Sequence, residues 1–161
     1  YLKGLTNYNR GKSIVGKYLP QEPAERDTFT MRAAYDDFSQ LVKLYPNSIY
    51  AIDSAQRIIY LRNNMAEYEI HVADYYMRRK AYVAAANRGE YVVENYQRTP
   101  AVPDALVIMT RAYRKLGVDD LADDALRVLR LNYPDRPESA WLEDPRGYEA
   151  AQKGSRSWKL W

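Results

Sequence analysis

The 161-residue chain has no cysteine and one histidine, His71. The first absence excludes disulfides, thiol chemistry and cysteine metal sites, and the second leaves no histidine cluster for a metal. No apolar run approaches the ~18 residues that a membrane-spanning helix needs. Neither a Gly-x-Ser-x-Gly elbow nor a Gly-x-x-x-x-Gly-Lys-Ser/Thr phosphate loop occurs. Carboxylates come as neighbours, Asp36-Asp37 and Asp123-Asp124. At 3.6 residues per turn such neighbours point about 100° apart on a helix, so they make no convergent acid–base pair. Catalysis and cofactors are not expected, and His71 reads as structural. Lys and Arg (24) are interspersed with Asp and Glu (21) for a formal charge of +3, so no basic stripe points to nucleic acid.

Phenylalanine is also scarce, with two against sixteen tyrosines and three tryptophans. Tyrosine suits half-buried positions, ring packed and hydroxyl wet, which fits thin layers of helices. The hydrophobic share of 47% and charged share of 28% are those of an ordinary globular domain.

The stretch from Ser48 to Gln97 organises the rest. It has no proline and one glycine, Gly89. Ile52, Ala55, Ile59, then Leu61, Met65, Tyr68, Val72 and Tyr75 recur at helical spacing, which predicts one inward stripe. Residues 48 to 79 would make a helix of about 48 Å. On either side the signals predict shorter helices. Residues 1 to 9 read as a helix end, and 10 to 27 as a loop with Gly11, Gly16, Pro20 and Pro23. Asp27 or Thr28 caps a helix to Tyr45 with Ala34, Phe38, Leu41, Val42 and Tyr45 inward. Pro46 stops it, and Ser48 caps the long helix. After a turn at Arg79 to Ala81, a helix from Tyr82 to Tyr96 turns Ala85, Gly89, Val92 and Val93 inward. Pro103 opens the next, lined by Leu106, Met109, Tyr113 and Leu116 and ended by Gly117. Asp119 or Asp120 caps the last, with Ala122, Ala125, Leu126 and Leu129 inward, and Tyr133-Pro134 closes it. Residues 135–161 read as a loosely ordered tail, with a helical turn near Tyr148 to Gln152. Its Trp141, Trp158 and Trp161 are interface anchors, a cap over the last helix, or part of an ordered crystal or complex contact. The opening YLKGLTNY already looks like the inside of a helix, so the natural N-terminus is expected upstream.

The helix-closing signals repeat: LYPNS, NYQRTP and NYPDRP, with their tyrosines 51 and 37 residues apart. A tetratricopeptide repeat is about 34 residues of helix–turn–helix. Counting back from Pro134 puts Leu106, Tyr113, Ala122 and Leu126 on the repeat's large, aromatic, small and large positions. Counting back from Gln97 puts Ala73, Tyr76, Ala85 and Gly89 on the small, aromatic, small and normally large positions. Gly89 and Thr110 depart from the pattern, and the first repeat matches only by half. The expected fold is an all-α, tetratricopeptide-repeat (helix–turn–helix) right-handed solenoid with one long central helix. Residues 1–134 form about two and a half to three repeats, and 135–161 the tail.

The runs YPNSIYAIDSAQRI and HVADYYMRRKAYVAAANR, with the closing repeat, closely resemble the BamD family. These are tetratricopeptide lipoproteins of the outer-membrane β-barrel assembly machinery of Gram-negative bacteria. The resemblance covers residues 1 to 134 and matches the family's C-terminal repeats. It implies a scaffold at the periplasmic face of the outer membrane, with a lipid anchor upstream. It also implies binding to the POTRA region of BamA, with BamC and BamE as further partners. Arg88 matches the family position associated with a salt bridge to the POTRA domain.

From residue type alone, Arg88 is either a bidentate carboxylate anchor or a solvated arginine. Asp74, Arg78 and Arg79 near the expected turn, and Arg114 beside Tyr113, are further candidates for the same surface; Tyr113 itself reads as core. The competing function is a generic periplasmic tetratricopeptide adaptor that captures a cell-envelope partner, or a linear peptide in its groove. Such a groove repeats its Asn, Lys or Arg at equivalent positions, and here those positions differ between repeats.

Overall fold

A computed structural model of the chain describes residues 1–10, 28–138 and 142. Among them are six helices and no strand: α1 (Leu2–Arg10), α2 (Thr28–Leu44), α3 (Ala51–Arg78), α4 (Tyr82–Asn95), α5 (Val102–Leu116) and α6 (Asp119–Asn132). The expected all-helical, helix–turn–helix class and the long central helix are both present. Arg10 belongs to α1. The rest of the expected loop, the three tryptophans and the turn near Tyr148 lie outside the described residues. Two compact units divide the chain, Tyr1–His71 and Val72–Trp161.

In the first unit α1 lies along α2. Gly4 permits the approach, since a Cβ there would sit 2.8 Å from the Phe38 ring. Phe38, Ala34 and Met31 form the buried stripe of α2. Leu41 and Val42 are half-buried, and Tyr45, one residue past the helix end, is exposed rather than inward.

The start of α3 differs from expectation. Ser48 sits in a turn before the helix: its hydroxyl accepts from the Tyr50 N–H at 3.3 Å and its carbonyl from the Ala51 N–H at 2.9 Å. The inward face of the first half is also different. Ile52 is 75% and Ile59 61% exposed, whereas Ala51 and Ser54 are buried. Both sets keep helical spacing, but they are offset by about one residue, roughly 100° of rotation. The small Ala51 and Ser54 take the packed face, and the larger isoleucines are left outside. Farther along, Leu61, Met65 and Ala73 are buried, Tyr68 and Val72 are half-buried, and Tyr75 and His71 are exposed.

In the second unit α4 packs on α5 and α5 on α6. The two departures from the repeat pattern explain each other's neighbourhood. At Gly89 a Cβ would meet Met109 Cγ at 2.6 Å and the Ala105 carbonyl oxygen at 3.0 Å. The flexible Met109 fills the volume that a large residue at 89 would take. Thr110 is fully buried because its hydroxyl donates to the Leu106 carbonyl at 2.8 Å, so no polar group is left unpaired. Ala85 and Val92 of α4 and Ala122, Ala125, Leu126 and Leu129 of α6 are buried as expected, while Leu116 and Tyr113 are exposed and half-buried.

Two helix ends share one geometry. Lys80 N–H donates to the Met77 carbonyl and Ala81 N–H to Tyr76. Gly117 N–H donates to Arg114 and Val118 N–H to Tyr113. Both are paired reversals that need a left-handed residue at the turn, with φ of 60° at Lys80 and 74° at Gly117. The reversal at Gly117 makes Val118 the residue before α6, with no side-chain cap. Asp119 and Asp120 therefore stand in the first turn, where their charge favours the helix dipole, and neither caps.

Gly117→Ala should lower unfolding free energy in urea by about 1 kcal/mol, the left-handed penalty for a Cβ. Lys80→Gly should raise it by less, because added freedom of the unfolded chain offsets part of the relief. Gly89→Ala should cost about 1–3 kcal/mol by overpacking, and Met109→Ala in that background should recover part of the loss.

Candidate partner-binding surface

The residues marked from sequence fall into three settings. Arg88 stands on α4 between buried Ala85 and Gly89 and is half-buried. Its backbone is held by the contact of Gly89 with α5, so the guanidinium leaves a stiff helix rather than a loop. Arg78 and Arg79 are exposed at the end of α3, followed by exposed Lys80. The Arg79 guanidinium lies 5.7 Å from the Tyr75 ring centroid, within cation–π range. Half-buried Asp74 is near enough to Asp104 of α5 for its charge to push the Asp104 carboxyl up. Arg114 is in a different place again, with its Nη2 4.0 Å from Asp123 of α6, a tie within the α5–α6 hairpin.

Asp104 belongs to a cluster that sequence spacing did not reveal. Arg136, beyond α6, hydrogen-bonds its carboxylate and lies 3.5 Å from Glu138. Burial pushes the Asp104 carboxyl up from its ordinary value. Arg136 opposes this, and Glu138 and Asp74 add to it. The partners are 32 residues apart, a separation with no local signature.

A second cluster had a readable signal, the i,i+4 pair Asp53 and Arg57. Arg57 Nε and Nη2 reach the two Asp53 oxygens at 2.6 and 3.1 Å. The same guanidinium lies 4.8 Å from the Tyr8 ring centroid and 5.9 Å from that of Phe38. Tyr1 Oη donates to Asp53 at 2.9 Å, and its ring stacks on Tyr50 at 4.4 Å. One ion pair thus ties α1, α2 and α3 together. The hydrogen bond from Arg57 holds the Asp53 carboxyl below its ordinary 3.8. The bond donated to Asp53 pushes the Tyr1 phenol above 10.0.

Nothing in these settings gathers nucleophile, base and acid; they offer charge and aromatic surface on firm helices. A family model described as an outer membrane lipoprotein, YfiO, matches residues 1–129. The chain belongs to the YfiO family of outer membrane lipoproteins. YfiO-family relatives include the outer membrane protein assembly factor BamD of Neisseria meningitidis serogroup A, 42% identical over 146 residues, 89% of this chain and 55% of the relative. BamD of Xylella fastidiosa Temecula1 is 41% identical over 143 residues, 89% of this chain and 48% of its own. The Haemophilus influenzae factor is 36% identical over 132 residues, 82% and 50% respectively. The chain spans about half the length of the curated relatives it matches.

The lowered Asp53 pKa fixes a direction for pH dependence. Stability from the ionised pair is present above about 3.8 and is lost as pH falls through the lower folded value. Asp104 runs the other way, contributing most below 3.8 and less as pH rises through its raised value. Asp53→Asn should therefore destabilise the chain at neutral pH, and the melting temperatures of variant and parent should converge below the ordinary carboxylate pKa.

Proposed function

We propose that this chain is a non-catalytic scaffold of outer-membrane protein assembly, working at the periplasmic face of the outer membrane on a lipid-anchored protein. Its repeats hold the POTRA region of BamA, with BamC and BamE as further contacts. Residues 1–134 supply the repeats, and 135–161 are an appendage to them. The supporting observation is the setting of Arg88, half-buried on α4 one residue before the tight contact of Gly89 with α5. That contact holds the backbone that carries Arg88, and a guanidinium can pair with a carboxylate in two-pronged geometry. Asp74, Arg78 and Arg79 supply surrounding charge, and Arg114 acts from the α5–α6 hairpin.

The test is binding of the chain to the isolated POTRA region of its own BamA. Arg88→Glu should weaken it by at least about tenfold, equal to roughly 1.4 kcal/mol, with helicity by circular dichroism unchanged. Equal binding by the variant removes Arg88 as the anchor. No binding by the folded parent chain, together with capture of linear peptides, replaces the scaffold with an adaptor.

A further inference from the structure

Helix α6 ends at Asn132, and the chain just after it is tied back to the start of α5. Arg136 makes the tie. Its N–H donates to the Tyr133 carbonyl at 3.2 Å, and its Nη2 donates to the carboxylate of Asp104 in the first turn of α5. Two residues on, Glu138 places Oε2 3.5 Å from the Arg136 Nε. The Glu138 carbonyl accepts from the N–H of Leu142 at 3.0 Å, and Leu142 is buried.

Charge at this tie is out of balance. Asp104 is under the influence of two further carboxylates, Glu138 and Asp74 of α3, against the one guanidinium of Arg136. All four residues are half-buried. The helices packed on α5 bring no further charge on their buried faces, which are Ala85, Ala86, Gly89 and Val92 on α4 and Ala122, Ala125, Leu126 and Leu129 on α6. Glu138 Oε2 is closed to water and has no hydrogen-bond partner among the described residues. Like charges gathered away from water favour proton uptake by one of them. Burial acts on Asp104 in the same direction, and Arg136, which opposes both, is outweighed.

We propose that this cluster is a proton-sensitive clasp on the chain that follows α6: proton uptake by Asp104 tightens it, and loss of that proton loosens it. A neutral Asp104 carboxyl still accepts from Arg136 through its carbonyl oxygen, while one of the crowded negative charges is gone. The sign follows from linkage. The closed clasp holds the proton more firmly than an open one, so opening becomes easier as pH rises above about 3.8. Opening releases Tyr133 to Glu138, and with them Leu142, as a local event that leaves α4, α5 and α6 folded. This inference is independent of any partner in outer-membrane assembly.

Amide hydrogen exchange in the full 161-residue chain separates the clasp from the repeats. The N–H of Leu142 reports on the clasp, and that of Ala112, fully buried in α5, reports on the helices. With rates corrected for intrinsic exchange at each pH, Leu142 should be protected at least about threefold more at pH about 4 than at pH about 7, with Ala112 unchanged. Asp104→Asn should give Leu142 at the higher pH the protection that the parent chain has at the lower, and remove the pH dependence. Arg136→Met should abolish Leu142 protection at both values and leave Ala112 protected; if that variant does not fold, the pH series of the parent decides the matter. Protection of Leu142 that ignores pH, or that changes only in step with Ala112, overturns the proposal. So does a loss of Leu142 protection in Asp104→Asn at the higher pH, because the ion pair alone would then hold the segment.

Discussion

The contact of Gly89 with α5 is the constraint on which the second unit depends. Where a side chain is missing, two helix backbones come close enough for a Cβ to strike both Met109 and the Ala105 carbonyl. That closeness lets α5 be buried on so many sides: Ala105, Leu106, Val107, Ile108, Thr110 and Ala112 all lose water contact. It also dictates what α5 can carry. A polar residue survives in such a place only if it bonds to its own helix, as Thr110 does with Leu106. Arg88 stands one residue before the same contact.

The first unit solves its problem by different means. Several of its large aliphatic side chains, Leu2, Leu44, Ile49, Ile52 and Ile59, are exposed, and aromatic rings pack inside instead. Phe38 is buried under Tyr1 and Tyr8, with ring centroids 6.3 and 6.4 Å away, and Arg57 lies over Tyr8 with Asp53 behind it. Asp37 receives both Lys3 at 2.9 Å and Asn7 at 2.8 Å from α1. Tyrosine can serve such an assembly because one side of the ring packs while the hydroxyl finds water or a carboxylate.

Much of this was legible in the residues, and the exceptions have a common cause. Helix existence, Pro103 at the start of α5, Gly117 at its end and the inward alanines of α4 and α6 follow from local chemistry, and local chemistry is what a sequence displays. The family was legible in runs such as HVADYYMRRKAYVAAANR. The inward face of early α3 was misread because hydropathy favours Ile52 and Ile59 while close packing favours Ala51 and Ser54. The acids in the first turn of α6 were misread as caps because the left-handed Gly117 had already delivered the chain to the helix start at Val118. Arg136 reaching Asp104 was invisible, since its partner lies across the hairpin and only the packed structure brings them together.

Three of the described turns carry a left-handed residue, and only one is glycine. Lys80 has φ of 60° and Arg98 of 64°, a conformation that costs a side-chain-bearing residue on the order of 1 kcal/mol or more. A chain shaped for stability alone would place glycine at all three. Here the strained backbone falls on a cation at the end of α3 and on another just after α4, and both side chains are exposed, so each of these two turns trades backbone ease for positive charge at the surface.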